Sequence, residues 1–410
     1  MPWKETRVMD ERMKFLGMYL EHEWDMASLC RHFGISRKTG YKWISRYIEE
    51  GPVGLTDHSR APLSHRFAVA DPIIEAIIKA RRDHPTWGPR KLRAWLNRVC
   101  PHGHWPAAST MGEILRRHGL TVPRRRSRKG APYTEPLQHC DSPNAVWSAD
   151  FKGWFITGDG RRCDPLTITD NYSRYLFRCQ AVKMTGYDMV QPIFKAAFRE
   201  YGLPDAIRTD NGPPFATTTV GSLSRLSIWW LKLGILAERI EPGKPAQNGR
   251  HERMHRTLKH ETATPPKRTW RLQQQAFDLF RQEYNHDRPH EGIGDDIPAN
   301  LYQPSPRRYP LEVPQITYPD DMTVRWVHSQ GDLRWNCHQI YLSETLAGEP
   351  VGLRQTDNDR WEIYFGPIKL AILDTADNRL IHLPRTRANR RDRQENKDNH
   401  PKKVLPMSPV

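Results

Sequence analysis

From about Asn144 the hydrophobic period of the chain falls to two and stays there for three strands in succession. The runs are "AVWSADFKGWFI", "DPLTITDNYSRYLF" and "RCQAVKM", the second and third joined at a polar turn over 170–173. Helix and strand then alternate: helix "TGYDMVQPIFKAAFREYG", strand "DAIRTD", helix "SLSRLSIWWLKLG", strand "ILAERI", and a helix that begins in "NGRHERMHRTLKHE". Strands joined by tight turns pair antiparallel, whereas strands separated by helices enter parallel, so this order predicts an α/β domain with a mixed five-stranded sheet. "TWRLQQQAFDLFRQEYNHDRPH" adds a further amphipathic helix.

The first 60 residues have helical spacing instead. In "DMASLCRHFGISRKTGYKWISRYIEEG", Ala27, Leu29, Cys30 and Phe33 share a face, Gly34 makes a turn, and Ser36 is placed to cap a second helix. A helix-turn-helix presents Arg37, Lys38 and Lys42 outward to DNA and packs Tyr41, Ile44 and Tyr47 inward; an ordinary helical hairpin with a solvated basic face is the plainer reading. Residues 66–122 carry three more helices, the first capped at Asp71, the third capped at Ser109 and closed by Gly119: a second, winged-helix-like DNA-binding module or a simple three-helix bundle. The linker over 123–143 holds Arg124, Arg125 and Arg126, set to track phosphates or to act as a solvated tether. The α/β domain spans 144–302, and prolines at 298, 304, 306, 310, 314 and 319 mark an extended connection. Short alternating segments over 318–384 predict a small antiparallel β-barrel, and the basic tail over 385–410 lacks the apolar residues to form a core.

Lys and Arg exceed Asp and Glu by 63 − 47 = 16 charges, which selects polyanionic partners, nucleic acid first. No apolar run reaches the length of a membrane span, the N-terminus lacks the apolar core of a signal peptide, and the 6 cysteines show no paired spacing. These features lead to the expectation of a cytoplasmic, nucleoid-associated protein that does not engage membranes.

Three stretches concentrate the chemistry. Asp150 lies in "WSADFKG", Asp210 ends the strand in "IRTDNGPPF", and Glu252 sits on the helix of "GKPAQNGRHERMHRTLK". The last stretch also spells H-E-x-x-H through His251, Glu252 and His255, the pattern of a zinc peptidase helix. Two Asp and one Glu are hard oxygen donors suited to Mg²⁺ or Mn²⁺, whereas zinc prefers imidazole and thiolate. Arg256 and Lys259, one and two turns beyond Glu252, make its helix face a phosphate-binding surface and would crowd a zinc ion with positive charge.

Together with "YNHDRPHEGIGDDIPANLY", these blocks resemble the catalytic core of the integrase-type DDE transposases of bacterial insertion sequences, the superfamily that includes retroviral integrases. The resemblance covers roughly residues 140–302 and departs in one respect. Asp210 and Glu252 enclose 41 residues, more than family members commonly leave, with the extra length in "FATTTVGSLSRLS". It implies an RNase H-like core in which Asp150, Asp210 and Glu252 hold two metal ions, Asp150 bridging them. Arg256 and Lys259 then contact the DNA end, while Asn211, Gly212, Asn248 and His255 support the site. Its implied activity is cleavage at element ends followed by strand transfer into target double-stranded DNA by a homo-oligomer. Two alternatives are a helix-turn-helix regulator derived from an inactive transposase, and an RNase H-like nuclease that cuts without joining.

Overall fold

The computed structural model describes residues 7–58, 69–121, 140–217, 220–240 and 249–382, and the chain divides into two compact units, Met1–Ala70 and Asp71–Val410. In the first unit, α1 (Val8–Leu20), α2 (Met26–His32) and α3 (Arg37–Glu50) close on a core of Phe15, Leu16, Leu29, Cys30, Trp43, Ile44 and Leu55. Asp25 caps α2 by accepting from the Ala27 and Ser28 amides, and Ser36 caps α3 through the Thr39 amide, as its position predicts. Gly34 makes the turn with φ +63°, and Gly40 lets α3 approach α2 so closely that a β-carbon there would lie 2.7 Å from Cys30 Sγ. Arg37, Lys38 and Lys42 are exposed on α3, as expected for a recognition helix. Tyr41, expected inward from its spacing, is 57% exposed; Trp43 takes the inner position, flanked by the Arg12, Lys42 and Arg46 cations.

The second unit opens with α4 (Asp71–Asp83), α5 (Pro89–Val99) and α6 (Ala108–Arg117). Gly119 turns the chain out of α6 at φ +69°, as expected, but the cap position is Ala107 rather than Ser109, which lies inside the helix and caps nothing. This bundle is seated on the α/β domain by polar contacts: Arg90 bonds Glu291 and Asp295 at 2.9 Å each, and Arg98 bonds the Asp287 carbonyl at 2.7 Å. Trp87, fully buried, stacks on His84 at 3.8 Å.

The α/β domain has strands β1 (Val146–Phe151), β2 (Phe155–Ile156), β3 (Arg162–Asp170), β4 (Leu176–Val182), β5 (Ala206–Thr209) and β6 (Leu236–Arg239). The sheet runs β4-β3-β1-β5-β6, antiparallel on the β4-β3-β1 side and parallel from β1 to β6, with the short β2 paired to the start of β3. The expected first strand is therefore two, broken at Lys152-Gly153-Trp154. Between β4 and β5 lies α7 (Tyr187–Tyr201), and between β5 and β6 lies α8 (Arg225–Lys232); they cover one sheet face over Trp147, Ile168, Phe177, Trp229 and Trp230. The other face is covered by α9 (Gly249–Thr262) and α10 (Trp270–His286) over Cys163, Leu176, Cys179, Met254, Leu258 and Phe277. Asp170 both pairs with β1, opposite Trp147, and closes the turn by accepting from Ser173 and the Asn144 amide.

A short helix α11 (Pro298–Leu301) and the proline-marked connection lead to β7 (Thr323–Trp326), β8 (Asp332–Trp335), β9 (His338–Tyr341), β10 (Pro350–Asp357), β11 (Arg360–Phe365), β12 (Ile368–Asp374) and β13 (Arg379–His382). The expected barrel is corrected here. Among the described residues β7-β10-β11-β12-β13 is an open antiparallel sheet with β13 and β7 at its edges, and β8-β9 is a separate hairpin. Alternating apolar residues in short strands suit a barrel and an open sheet equally; here one face is covered instead by Leu223, Ile228 and Leu231 of the α/β domain. The loop that lengthens the gap between Asp210 and Glu252 helps to seat this sheet: Gly221, at φ +63°, lies so close to β12 that a β-carbon there would fall 2.6 Å from the Leu370 side chain.

Candidate active site

The parallel register from Val146 opposite Ala206 to Ala149 opposite Thr209 leaves Asp150 and Asp210 as the next residues at the carboxyl ends of β1 and β5. Ligand sites of open α/β sheets lie at such ends. Asp210 is half-buried, its carboxylate accepting from the Gly212 amide at 3.2 Å, and burial raises its pKa above the usual carboxylate value. Gly212 fits here because a β-carbon would lie 3.1 Å from the Asp210 carboxylate, while Asn211 ties the loop to the Ile240 carbonyl at 3.1 Å.

Glu252, in the first turn of α9, is exposed and shares with Asp150 a cleft of about 420 Å³, also lined by Lys152, His255, Arg256 and Lys259. Both histidines reach the sheet through Nε2, with His255 also at the edge of the cleft. Thr167 of β3, opposite Asp150 in register, places its hydroxyl 2.6 Å from His251 Nε2 and 2.7 Å from His255 Nε2, and bonds the Asp150 carbonyl at 3.1 Å. Burial pushes the His251 pKa down to about 3 and drives His255 down as well, helped by His251 and Lys152, so both rings are neutral. His255 Nδ1 lies 3.8 Å from the Asp150 carboxylate, a contact of a neutral ring rather than an ion pair.

Among solved structures, a chain of the simian T-cell lymphotropic virus intasome in complex with PP2A regulatory subunit B56 gamma is 16% identical, with a TM-score of 0.36 over 75% of this chain and 100% of that one. Residues 11–62 match a helix-turn-helix domain family and 39–115 a homeodomain-like domain family. Residues 141–245 and 233–298 match two integrase core domain families. The 31.7 kDa protein of insertion element IS407 from Burkholderia multivorans is 29% identical over 66% of this chain and 88% of its own length. The 39.2 kDa protein of insertion element IS476 from Xanthomonas euvesicatoria is 32% identical over 43% of this chain and 50% of its own length. Residues 141–298 thus carry an integrase core domain, and the chain is similar to proteins of insertion elements.

In this chain the H-E-x-x-H pattern has a structural use. Asp150, His251 and His255 offer ligand atoms within 4.8 Å of one another, yet both Nε2 atoms converge on a hydroxyl at hydrogen-bond distance. Zinc would need that space at about 2.0–2.1 Å from each nitrogen. The pair instead fastens α9 to β3 beside Asp150. Of the other sequence-predicted residues, Arg256 and Lys259 line the cleft. Arg37, Lys38 and Lys42 lie in the first unit on α3. Arg124, Arg125, Arg126 and Asn248 fall outside the described residues. Sequence reasoning missed Lys152 and Thr167: the first stands two residues past Asp150, and the second is the strand neighbour that only the β1–β3 register identifies.

Proposed function

We propose that this chain cuts the ends of its insertion element and joins them to target DNA by metal-dependent phosphoryl transfer, with Asp150, Asp210 and Glu252 as the catalytic carboxylates. The observation that supports this most is their placement: two aspartates each one residue past the last paired position of adjacent parallel strands, and the glutamate sharing a cleft with the first. Three carboxylates are hard oxygen donors and fit Mg²⁺ or Mn²⁺. Bound ions of this kind supply electrostatic stabilisation of the entering and leaving oxygens in an in-line displacement. The chain's own residues provide the rest. Lys152, Arg256 and Lys259 hold the phosphate backbone over the carboxylates, and Thr167, through the Asp150 carbonyl, fixes the strand that carries Asp150.

The test is strand transfer of a labelled duplex of the element's own terminus into plasmid in Mg²⁺. Joined product from the wild type, and none from Asp210→Asn, is expected. Cutting without joining would favour an RNase H-like nuclease, and binding with neither would favour a regulator.

Double-stranded DNA is the proposed partner, read through α3 and bound by a homo-oligomer when two ends are brought together. Replacing Arg37, Lys38 and Lys42 by alanine is expected to flatten the salt dependence of end binding, by about one unit of log K per log salt for each phosphate contact removed. An unchanged slope would remove these residues from the DNA interface. Sizing the DNA complex checks the oligomer; a strictly monomeric complex that joins ends would overturn it.

A further inference from the structure

A second pocket opens beside the catalytic cleft, between the β1–β2 loop and the carboxyl half of α9. Its walls include Trp154, Phe155, Leu258 and Phe277, and Lys152 and Lys259 line both this pocket and the carboxylate cleft. We infer that the pocket takes one nucleobase, swung out of the helix, from the DNA strand whose phosphate lies between Lys152 and Lys259. This deepens the transposase reading above and rests on it.

Three observations carry the inference. Trp154 is 59% exposed, an unfavourable position for an indole, and it is held there. The Arg162 guanidinium lies 5.1 Å from the Trp154 ring centroid, and Arg162 is itself fixed by Asp164 at 2.7 Å, a carboxylate that is 2% exposed. A flat aromatic surface braced in solvent beside a phosphate-binding cleft suits base stacking, which accepts any base because every base has a π face. The pocket measures about 130 Å³, comparable to the roughly 150 Å³ apolar cavity that accommodates a benzene ring, so it holds one ring system and excludes a base pair. Finally, the shared lysines set the occupant's chemistry: what enters the apolar walls is attached to an anion, and a nucleotide whose phosphate stays in the cleft meets both demands. Drawing one base aside would also fix the strand's rotation at the scissile phosphate.

The experiment uses the full chain carrying Asp210→Asn, in EDTA, with duplexes of the element's terminus that each hold one 2-aminopurine at successive positions around the junction. One position, or two adjacent ones, is expected to change fluorescence on binding. The change should vanish with Trp154→Ala and persist with Trp154→Phe, which keeps a stacking face. In the otherwise wild-type chain, Trp154→Ala is expected to lower strand transfer about 10-fold or more, with Trp154→Phe restoring most of it. No responding position, an unchanged response in Trp154→Ala, or a phenylalanine that behaves like the alanine would overturn the pocket. The fluorescence is read without cutting. No fluorescence response with Trp154 intact, while the wild type joins ends, overturns the pocket alone; a response with Trp154 intact, and no joining by the wild type, overturns the transfer reading alone.

Discussion

Glu252→Gln is expected to lower strand transfer about 10³-fold, since a carboxylate that holds a catalytic metal contributes several kcal/mol of transition-state stabilisation at about 1.4 kcal/mol per tenfold. The substitution keeps the shape of the side chain and removes its charge. Glu252 is exposed on α9, so no packing is lost. Its place in the first helical turn means that the helix dipole loses a partner at a cost of about 0.3–1 kcal/mol, too little to unfold the domain. Removing a negative charge from a cleft that contains Lys152, Arg256 and Lys259 leaves affinity for DNA equal or higher. The signature is therefore separation: end binding preserved, joining lost, thermal stability nearly unchanged. Strand transfer within tenfold of wild type would remove Glu252 from the catalytic set, and loss of DNA binding in parallel would make it a binding residue instead.

Thr167→Val is expected to destabilise the second unit by about 2–6 kcal/mol, because two buried polar groups each lose their partner at about 1–3 kcal/mol. The arrangement around Thr167 closes when both imidazoles carry their proton on Nε2: the hydroxyl then accepts from His251 and His255 and donates to the Asp150 carbonyl. His251 Nδ1 lies 3.3 Å from the Thr169 hydroxyl, which occupies its remaining lone pair. Valine matches threonine in shape but leaves both rings, each 4% exposed, facing a methyl group. Thr167→Ser keeps the hydroxyl and serves as the control, with a loss near 1 kcal/mol expected from the missing methyl. Thermal unfolding of the two variants checks this, and metal analysis of the purified wild type checks the competing zinc assignment. Equal stability of the valine and serine variants, or stoichiometric zinc retained by both, would mean that the histidines do not depend on the hydroxyl.

Much of the architecture is legible in local pattern. The switch from helical to alternating spacing near Asn144 locates the sheet, and the order of strands and helices sets which strands run parallel, because connection length decides direction. Ser36 and Gly34 mark the helix-turn-helix through capping and positive φ, both properties of single residues. The three carboxylates are readable as a set only through the blocks around them; any one alone is an ordinary surface acid. Local pattern fails where the outcome depends on what a face meets. Tyr41 and Trp43 are both aromatic on one short helix, and packing against Leu29 and Phe15 selects Trp43 for the core. Strands 318–384 alternate correctly, yet whether the sheet closes on itself is decided by the apolar residues of α8 and the loop before it, which cover it from elsewhere in the chain.

The H-E-x-x-H helix makes the division plain. Sequence alone determines that His251 and His255 share a face and that Glu252, Arg256 and Lys259 lie on the face beside it, because helical period is local. Only the tertiary structure decides what the histidine face meets, and it meets Thr167, a residue 84 positions away from His251 that β1–β3 pairing brings beside Asp150. Ligation and hydrogen bonding use the same nitrogen atoms, so the identity of the group placed opposite them, which no local rule specifies, separates a metal site from a structural clasp.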